Sequence, residues 1–334
     1  MSDCSPTESS PIPGSAETPS ADAAAHRLAV AVSGGRDSMA LLHAVGAAAS
    51  RCKVEVWALH VHHGLLPQAD AWWTHVERQC QLMTRRGWPV RFSGQRLSGG
   101  PEPGQSVEAW ARHGRYQALA GMAQRHDISM VLLAHHRRDQ AETVLLQALR
   151  SGGPAGLSAM PRMAERKGIT WVRPWLSHPR EAIEAYVRRY RVRYVDDPSN
   201  DEPHLARNRL RTRAWETLSD AFPQAETALA GTALRMQEAA ACNAELAALD
   251  MAGCVTDQGA IAIDGWTSLS PARQSNLLRH WAARFLPRGV PETLVSRLCN
   301  EVHGALHGAW WPVPGGRVRR ERGLLVFVPE PESL

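Results

Sequence analysis

Between residues 28 and 134, short apolar runs alternate with longer stretches of helical periodicity. The runs at 28–32, 54–61, 90–92 and 130–134 read as strands, and the stretches at 38–49, 69–86, 106–125 and 138–149 read as helices. The alternation predicts an α/β fold, a doubly wound and mainly parallel sheet with helices on both faces. Ligands of such folds sit beyond the carboxyl ends of the strands. Ser33, the segment His60 to Gly64 and the segment Ala134 to His136 occupy those ends, so they are expected to converge on one crevice. Gly- and Pro-rich stretches at 97–105 and 151–156 read as loops, either mobile substrate loops or plain surface connections. From about residue 216 the pattern changes. An Ala-rich helical stretch covers 222–250, amphipathic helices follow at 272–285 and 291–302, and 310–328 reads as a hairpin turning at Pro314-Gly315-Gly316. The expected division is a disordered tail (1–25), an α/β domain (26–215) and a smaller, mainly helical domain with a C-terminal hairpin (216–334).

The first strand runs into Ser33-Gly34-Gly35-Arg36-Asp37-Ser38, and a helix follows. A strand, a glycine turn and a helix start make a phosphate cradle. Glycine lets the backbone approach an anion, and the free N–H groups and dipole of the new helix favour negative charge. Ser33 and Ser38 add hydroxyl donors. No Lys precedes the Ser, so this is not the kinase-type loop. An acid, Asp37, stands there instead. An acid beside a polyphosphate makes sense when it holds Mg²⁺. The loop resembles that of the PP-loop ATP pyrophosphatases, and the resemblance implies ATP and Mg²⁺ as ligands, with Ser33, Gly34, Gly35, Arg36, Asp37 and Ser38 as nucleotide-binding residues, joined by His60 and His63 from the second strand end.

Composition narrows the class. The chain has 334 residues and a net charge of +5. Its basic residues are nearly all Arg, Lys53 and Lys167 being the exceptions, and Arg suits phosphate through its planar fork of donors. The six cysteines form no C-x-x-C pair, which argues against zinc ribbons, iron–sulfur anchoring and thioredoxin-type redox chemistry. No apolar run is long enough to span a bilayer, and residues 1–25 lack the basic start and apolar stretch of a signal peptide. A cytoplasmic protein without membrane contact is expected.

Three further clusters carry candidate chemistry. In the segment His135-His136-Arg137-Arg138-Asp139-Gln140-Ala141-Glu142-Thr143, the residues Asp139, Glu142 and Thr143 share one helix face. Two carboxylates there can hold Mg²⁺, pair with a cationic amine, or simply cap the helix. Glu108, Arg112, Arg115 and Tyr116 share another face, as a solvated Glu–Arg pair or as arginines aimed at phosphate or base. In Arg207-Asn208-Arg209-Leu210-Arg211-Thr212-Arg213, the pair Arg207/Arg211 and the pair Arg209/Arg213 lie on opposite faces. One face can meet RNA phosphate while the other pairs with acids of its own domain. Arg319, Arg320 and Arg322 are further candidates for phosphate contact.

Taken in order, these segments resemble the bacterial tRNA(Ile)-lysidine synthetases of the PP-loop ATP pyrophosphatase superfamily. The resemblance runs from about 28 to 213. It rests on the 33–38 loop, His60-Val61-His62-His63-Gly64-Leu65, Glu108-Ala109-Trp110-Ala111-Arg112 with Arg115-Tyr116, and the 135–143 segment. It extends to Gly156-Leu157-Ser158-Ala159-Met160, Arg173-Pro174-Trp175-Leu176, Asp197-Pro198-Ser199-Asn200 and Arg207-Asn208-x-x-Arg211. The chain departs from the family pattern at His62 and at Arg150-Ser151-Gly152-Gly153, and it is expected to be too short for a full version of the further C-terminal domain that long members carry. The resemblance implies a ligase that adenylates carbon 2 of the wobble cytidine of the CAU-anticodon isoleucine tRNA, then joins free L-lysine there. It implies Asp37, Asp139, Glu142 and Arg112 as catalytic residues and Asp37 and Asp139 as metal ligands. It further implies Arg115, Arg207, Asn208 and Arg211 as tRNA contacts, and a homodimer. The nearest alternative is a PP-loop tRNA thiolase, for which Cys52 and Cys80 would have to meet; a nucleotide-sensing RNA-binding protein without catalysis is the rival from another class.

Overall fold

The strand His26–Ala31 (β1) is the centre of the first unit of the fold. In this computed structural model the described residues are 26–64, 67–101, 106–196, 206–286 and 289–330. The expected tail at 1–25, the loop tip at 102–105 and the Asp197–Asn200 turn lie outside the described residues. β1 pairs in parallel with β2 (Val54–His62) on one side and β4 (Met130–Leu132) on the other. β3 (Val90–Arg96) lies parallel beyond β2, and β6 (Ile169–Val172) parallel beyond β4. The edge strand β5 (Met163–Arg166) runs antiparallel, giving the order β3-β2-β1-β4-β6-β5. Ala29, Val30, Leu59 and Val131 are fully buried, as expected of strands covered on both faces.

The first three crossovers are α1 (Arg36–Ala49), α2 (Ala69–Arg85) and α3 (Val107–Arg125). α3 lays Leu119, Met122 and Ala123 over Leu59, Val131 and Trp171. Every predicted strand and helix of this region is present, with ends shifted by a few residues. The β5–β6 hairpin is additional: Lys167 and Gly168 both have positive φ, the geometry of a tight hairpin turn, and the strands are only four residues each.

The second unit contains α4 (Arg137–Ala148), α5 (Pro154–Leu157), α7 (Ala206–Arg209), α8 (Trp215–Ala221) and α9 (Ala225–Cys254). A π-helical turn, Leu210–Ala214, joins α7 to α8. The helix α6 (Arg180–Tyr190) lies between α5 and α7 in the chain. Then come α10 (Ile263–Thr267), α11 (Pro271–Ala282) and α12 (Glu292–Glu301). The strands β7 (Ile261–Ala262), β8 (Trp310–Val313), β9 (Gly316–Glu321) and β10 (Leu324–Pro329) form an antiparallel sheet in the order β7-β10-β9-β8. The expected hairpin is thus a meander with a second turn at Arg322-Gly323, both at positive φ. Trp266, Trp281, Trp311, Leu277 and Leu278 fill its core.

The compact units differ from the single division expected between 215 and 216. His135–Arg162 groups with the C-terminal helices, whereas Met163–Pro174 and Ile183–Asp197 group with the parallel sheet. Side-chain bonding explains it. Arg137 donates to Glu226 (2.8 Å), and Gln140 exchanges two hydrogen bonds with the Met160 backbone (2.8 and 3.0 Å). Ser158 and Gln237 add bonds that tie the α5 region to α9. α4 is therefore held along α9.

Trp281 is buried and its indole N–H donates to the Gly259 carbonyl at 2.8 Å. Trp281→Ala should lower the stability of the C-terminal core by about 3–5 kcal/mol, read as a shifted urea midpoint.

Candidate active site

The chain leaves β1 through Val32, whose N–H donates to Leu59 O (2.8 Å) and whose carbonyl accepts from His60 Nδ1 (2.8 Å). His60 is buried, and its bond to a carbonyl places the proton on Nδ1. Burial, with the charge of His62, lowers its pKa despite that bond. His60 therefore works as a neutral clamp between the ends of β1 and β2. His63, one residue beyond β2, is half-buried.

The loop then closes on itself. Ser38 Oγ donates to Gly35 O (3.0 Å) and accepts from the Ser33 N–H (3.2 Å), while Gly35 N–H donates to Ser33 Oγ (3.3 Å). Gly34 has φ +94°, and a Cβ there would sit 3.0 Å from Val195 Cγ2. The Gly34 carbonyl accepts from Val195 N–H (3.0 Å), so the segment after α6 braces the turn. No side chain caps α1, which starts after Gly35. Its first N–H groups are available to an anion, as the cradle requires.

Asp37 lies in the first turn of α1, with its side chain 30% exposed and Oδ1 2.9 Å from Arg36 Nε. Arg36 continues to Glu184 on α6 (2.7 Å). Burial disfavours the Arg36 charge, but the bond to Asp37 and the charges of Asp37 and Glu184 raise its pKa above the ordinary value. Arg36 thus holds Asp37 in place, and its own guanidinium is committed to two carboxylates.

On α3, the guanidinium of Arg112 lies 5.4 Å and that of Arg115 6.0 Å from the centre of the Tyr116 ring. Tyr116 in turn packs edge-on to Trp171. Burial lowers the pKa of Arg115, and the Arg112 charge adds to the effect against the opposing influence of Tyr116. Burial likewise lowers that of Arg173. The expected helix face is thus a concentrated positive patch organised by one tyrosine. Arg173 belongs to this patch through Tyr116; the Arg173-Pro174 motif was its only sequence signal.

In the second unit the predicted acids come together with the predicted arginines. Asp139 Oδ2 accepts from the His136 N–H (3.0 Å), so one oxygen does cap α4. Its Oδ1 takes Arg211 Nη2 at 2.9 Å. Glu142 is fully buried; Oε1 takes Arg211 Nε at 2.7 Å, and Oε2 lies 3.6 Å from Arg207 Nε. Arg207 also donates to Thr143 Oγ1 (2.7 Å). Burial pushes the Asp139 pKa up, but the His136, His135 and Arg211 charges, with the backbone bond, hold it below the usual carboxylate range. The arrangement is an anionic slot filled by a guanidinium fork.

Of the expected RNA contacts, Arg207 and Arg211 are turned to carboxylates here, and Asn208 is buried. A fully buried Glu142 needs a cation more than a solvated phosphate does. Arg209 and Arg213 are the exposed pair. Arg211 sits in the π-helical turn, a local distortion that recurs at functional sites. The match of Asp139/Glu142/Thr143 with Arg207/Arg211, each at helical spacing, was the signal in the sequence. Asp139, the second expected metal ligand, has its Oδ1 engaged by Arg211 in this arrangement.

A glycine cradle between the central parallel strand and its helix, with an acid in the first turn, defines a PP-loop ATP-binding protein. Residues 13–218 match the model of the PP-loop domain family, and residues 262–326 match the TilS substrate binding domain. The tRNA(Ile)-lysidine synthase of Ralstonia nicotianae is 42% identical over 300 residues, 89% of this chain and 63% of that protein. That of Bordetella pertussis is 40% identical over 313 residues, 90% of this chain and 96% of that protein. The chain belongs to the tRNA(Ile)-lysidine synthase family. Among solved structures, the U34-tRNA thiolase NcsA from Methanococcus maripaludis with its [4Fe-4S] cluster has a TM-score of 0.53 at 12% identity, covering 64% of this chain and 72% of that one. That likeness is one of fold. Cys52 and Cys80 are separate free thiols here, and burial pushes the Cys80 thiol up to about 12, far from a reactive thiolate. Among the described residues no helix is long and apolar enough to cross a membrane.

Gly34→Ala combines a left-handed φ with the approach to Val195, and should cost about 1–2 kcal/mol together with a raised KM for ATP in pyrophosphate-release assays. The lowered His60 pKa means that its protonation opposes folding. Its neutral form contributes in full above about pH 6.5, and the contribution is lost as pH falls toward the folded pKa. His60→Asn, which does not titrate, should flatten the fall in thermal midpoint below that pH; an unchanged slope would assign the acid sensitivity elsewhere.

Proposed function

We propose that this chain ligates free L-lysine to carbon 2 of the wobble cytidine of an isoleucine tRNA with a CAU anticodon, using ATP. In the first step the cytidine O2 attacks the α-phosphorus of ATP and pyrophosphate leaves. In the second the lysine ε-amine attacks carbon 2, the C2–O bond breaks and AMP leaves. The observation that carries the lysine assignment is the buried Asp139/Glu142 slot, which already holds a cation through two short bonds. An ammonium can replace the Arg211 fork at no net cost in charge, and an uncharged analogue would leave Glu142 unpaired.

Each residue has a corresponding role. Ser33, Gly34, Gly35, Ser38 and the open N-terminus of α1 receive the pyrophosphate. Asp37 is a partly exposed carboxylate beside the cradle, the kind of donor with which Mg²⁺ binds alongside substrate phosphates. Bound there, Mg²⁺ would offset the charge of the leaving group. Arg112 and Arg115, on Tyr116, orient the base or nucleotide. The proton shed by the attacking amine passes to a carboxylate of the Asp139/Glu142 pair. Arg209 and Arg213 face solvent for tRNA phosphate. The same reading places the protein in the cytoplasm with its substrates and makes a homodimer the expected assembly.

The decisive experiment is ATP-dependent incorporation of labelled lysine into an isoleucine tRNA transcript with a CAU anticodon. Incorporation that needs both ATP and that anticodon supports the reading; AMP formation on tRNA without lysine transfer would defeat it. Glu142→Gln should raise the lysine KM by about 100-fold while tRNA-dependent pyrophosphate release persists. Loss of pyrophosphate release instead would move Glu142 to the adenylation step.

A further inference from the structure

The sheet formed by β8, β9 and β10 has two unlike faces. Trp311, Val313, Val318 and Leu325 point into the core and are buried. The alternate positions form cross-strand rows on the other side. Trp310, Arg319 and Val326 are partners in one row, and Pro312, Arg317 and Val328 in the next. Apolar columns therefore flank a central column of guanidiniums. Trp310 is 56% exposed, although its neighbour Trp311 shows that this strand has a core to offer an indole. Arg317 is exposed as well.

The four arginines of this region divide by role. Arg320 lies on the core side and donates to the carbonyls of Val302 (2.7 Å) and Ala305 at the end of α12, so it is a helix-end ligand and not a phosphate contact. Arg319 pairs with Glu321 at 3.2 Å, both 40% exposed, a solvated contact that is readily exchanged. Arg322 lies at the exposed turn. With Arg320 turned to the core side, the segment from Trp310 to Glu330 leaves Arg317, Arg319 and Arg322 against Glu321 and Glu330, so its remaining charges still carry a positive excess.

We propose that this outer face is a docking platform for unpaired nucleotides of the RNA substrate, with a base stacked on Trp310 and flanking phosphates held by Arg317 and Arg319. An exposed aromatic on a sheet with neighbouring guanidiniums supplies the two contacts that single-stranded RNA offers everywhere, a ring face and a backbone charge. The positive surface complements that backbone. The proposal rests on the tRNA reading above and adds the surface that grips the tRNA away from the chemistry.

The test is binding of the full chain to labelled isoleucine tRNA transcript between 50 and 200 mM salt, on the order of the range where phosphate contacts register. Trp310→Leu should weaken binding by about 10-fold or more and Trp310→Phe should restore most of it, because stacking needs a ring and not merely an apolar group. Arg317→Ala with Arg319→Ala should reduce the slope of log affinity against log salt by about 1.5. Equal affinity of Trp310→Leu and wild type, both folded by thermal midpoint, overturns the proposal. So does a change from dimer to monomer in Trp310→Leu with tRNA affinity intact, which would make the face a contact between copies. The lysidine reading fails separately, when wild-type chain binds RNA through this face yet transfers no lysine.

Discussion

Two carboxylates brought together on one turn of a helix, one of them without any solvent exposure, demand a cation. Here Arg211 supplies it with one fork, reaching Glu142 with Nε and Asp139 with Nη2. Leaving such a pair uncompensated costs about 3–5 kcal/mol, so α4 and the segment around Arg211 are bound together. Much of the second unit follows from this. Arg207 is drawn to Glu142 and Thr143, Asn208 is buried, and the helix takes a π-helical turn where Arg211 sits. A charge-balanced slot of this kind is also what a substrate amine would need, and in the proposed reaction the Arg211 side chain acts as the occupant that lysine displaces.

The phosphate cradle depends on a different constraint, the backbone of Gly34. Its positive φ is compatible with a close neighbour only because no Cβ is present, and Val195 occupies the space a side chain would take. Hydroxyl bonds between Ser33, Gly35 and Ser38 preset the turn, while His60 clamps the strand end from which it springs. The cradle is thus organised before any anion arrives, which lowers the cost of binding one. Asp37 is kept in place by an arginine that is itself anchored on Glu184.

The C-terminal sheet shows how a similar composition serves two ends. Arg320 and Arg319 are adjacent in sequence, yet strand alternation sends the first to helix carbonyls and the second to the open face. Trp310 and Trp311 divide in the same way between surface and core. Charge and aromatic content alone could not separate these roles; the pairing register does.

Read from the sequence, the strands and helices of the α/β region, the cradle at 33–38 and the family were all legible, because each is written in neighbouring residues: apolar period, glycine turn, hydroxyl and acid at a helix start. The acid face of α4 and the two arginine faces near 210 were legible as faces, but not as partners of each other. Tertiary structure decided that Arg207 and Arg211 meet Asp139 and Glu142, that Val195 braces Gly34, that a short β5–β6 hairpin closes the sheet edge, and that α4 groups with the C-terminal helices. The physical reason is common to all four. Periodicity and turn chemistry are local properties of the chain, whereas the partner of a buried charge, or the atom beside a missing Cβ, is chosen by which distant segments packing brings within a few ångströms.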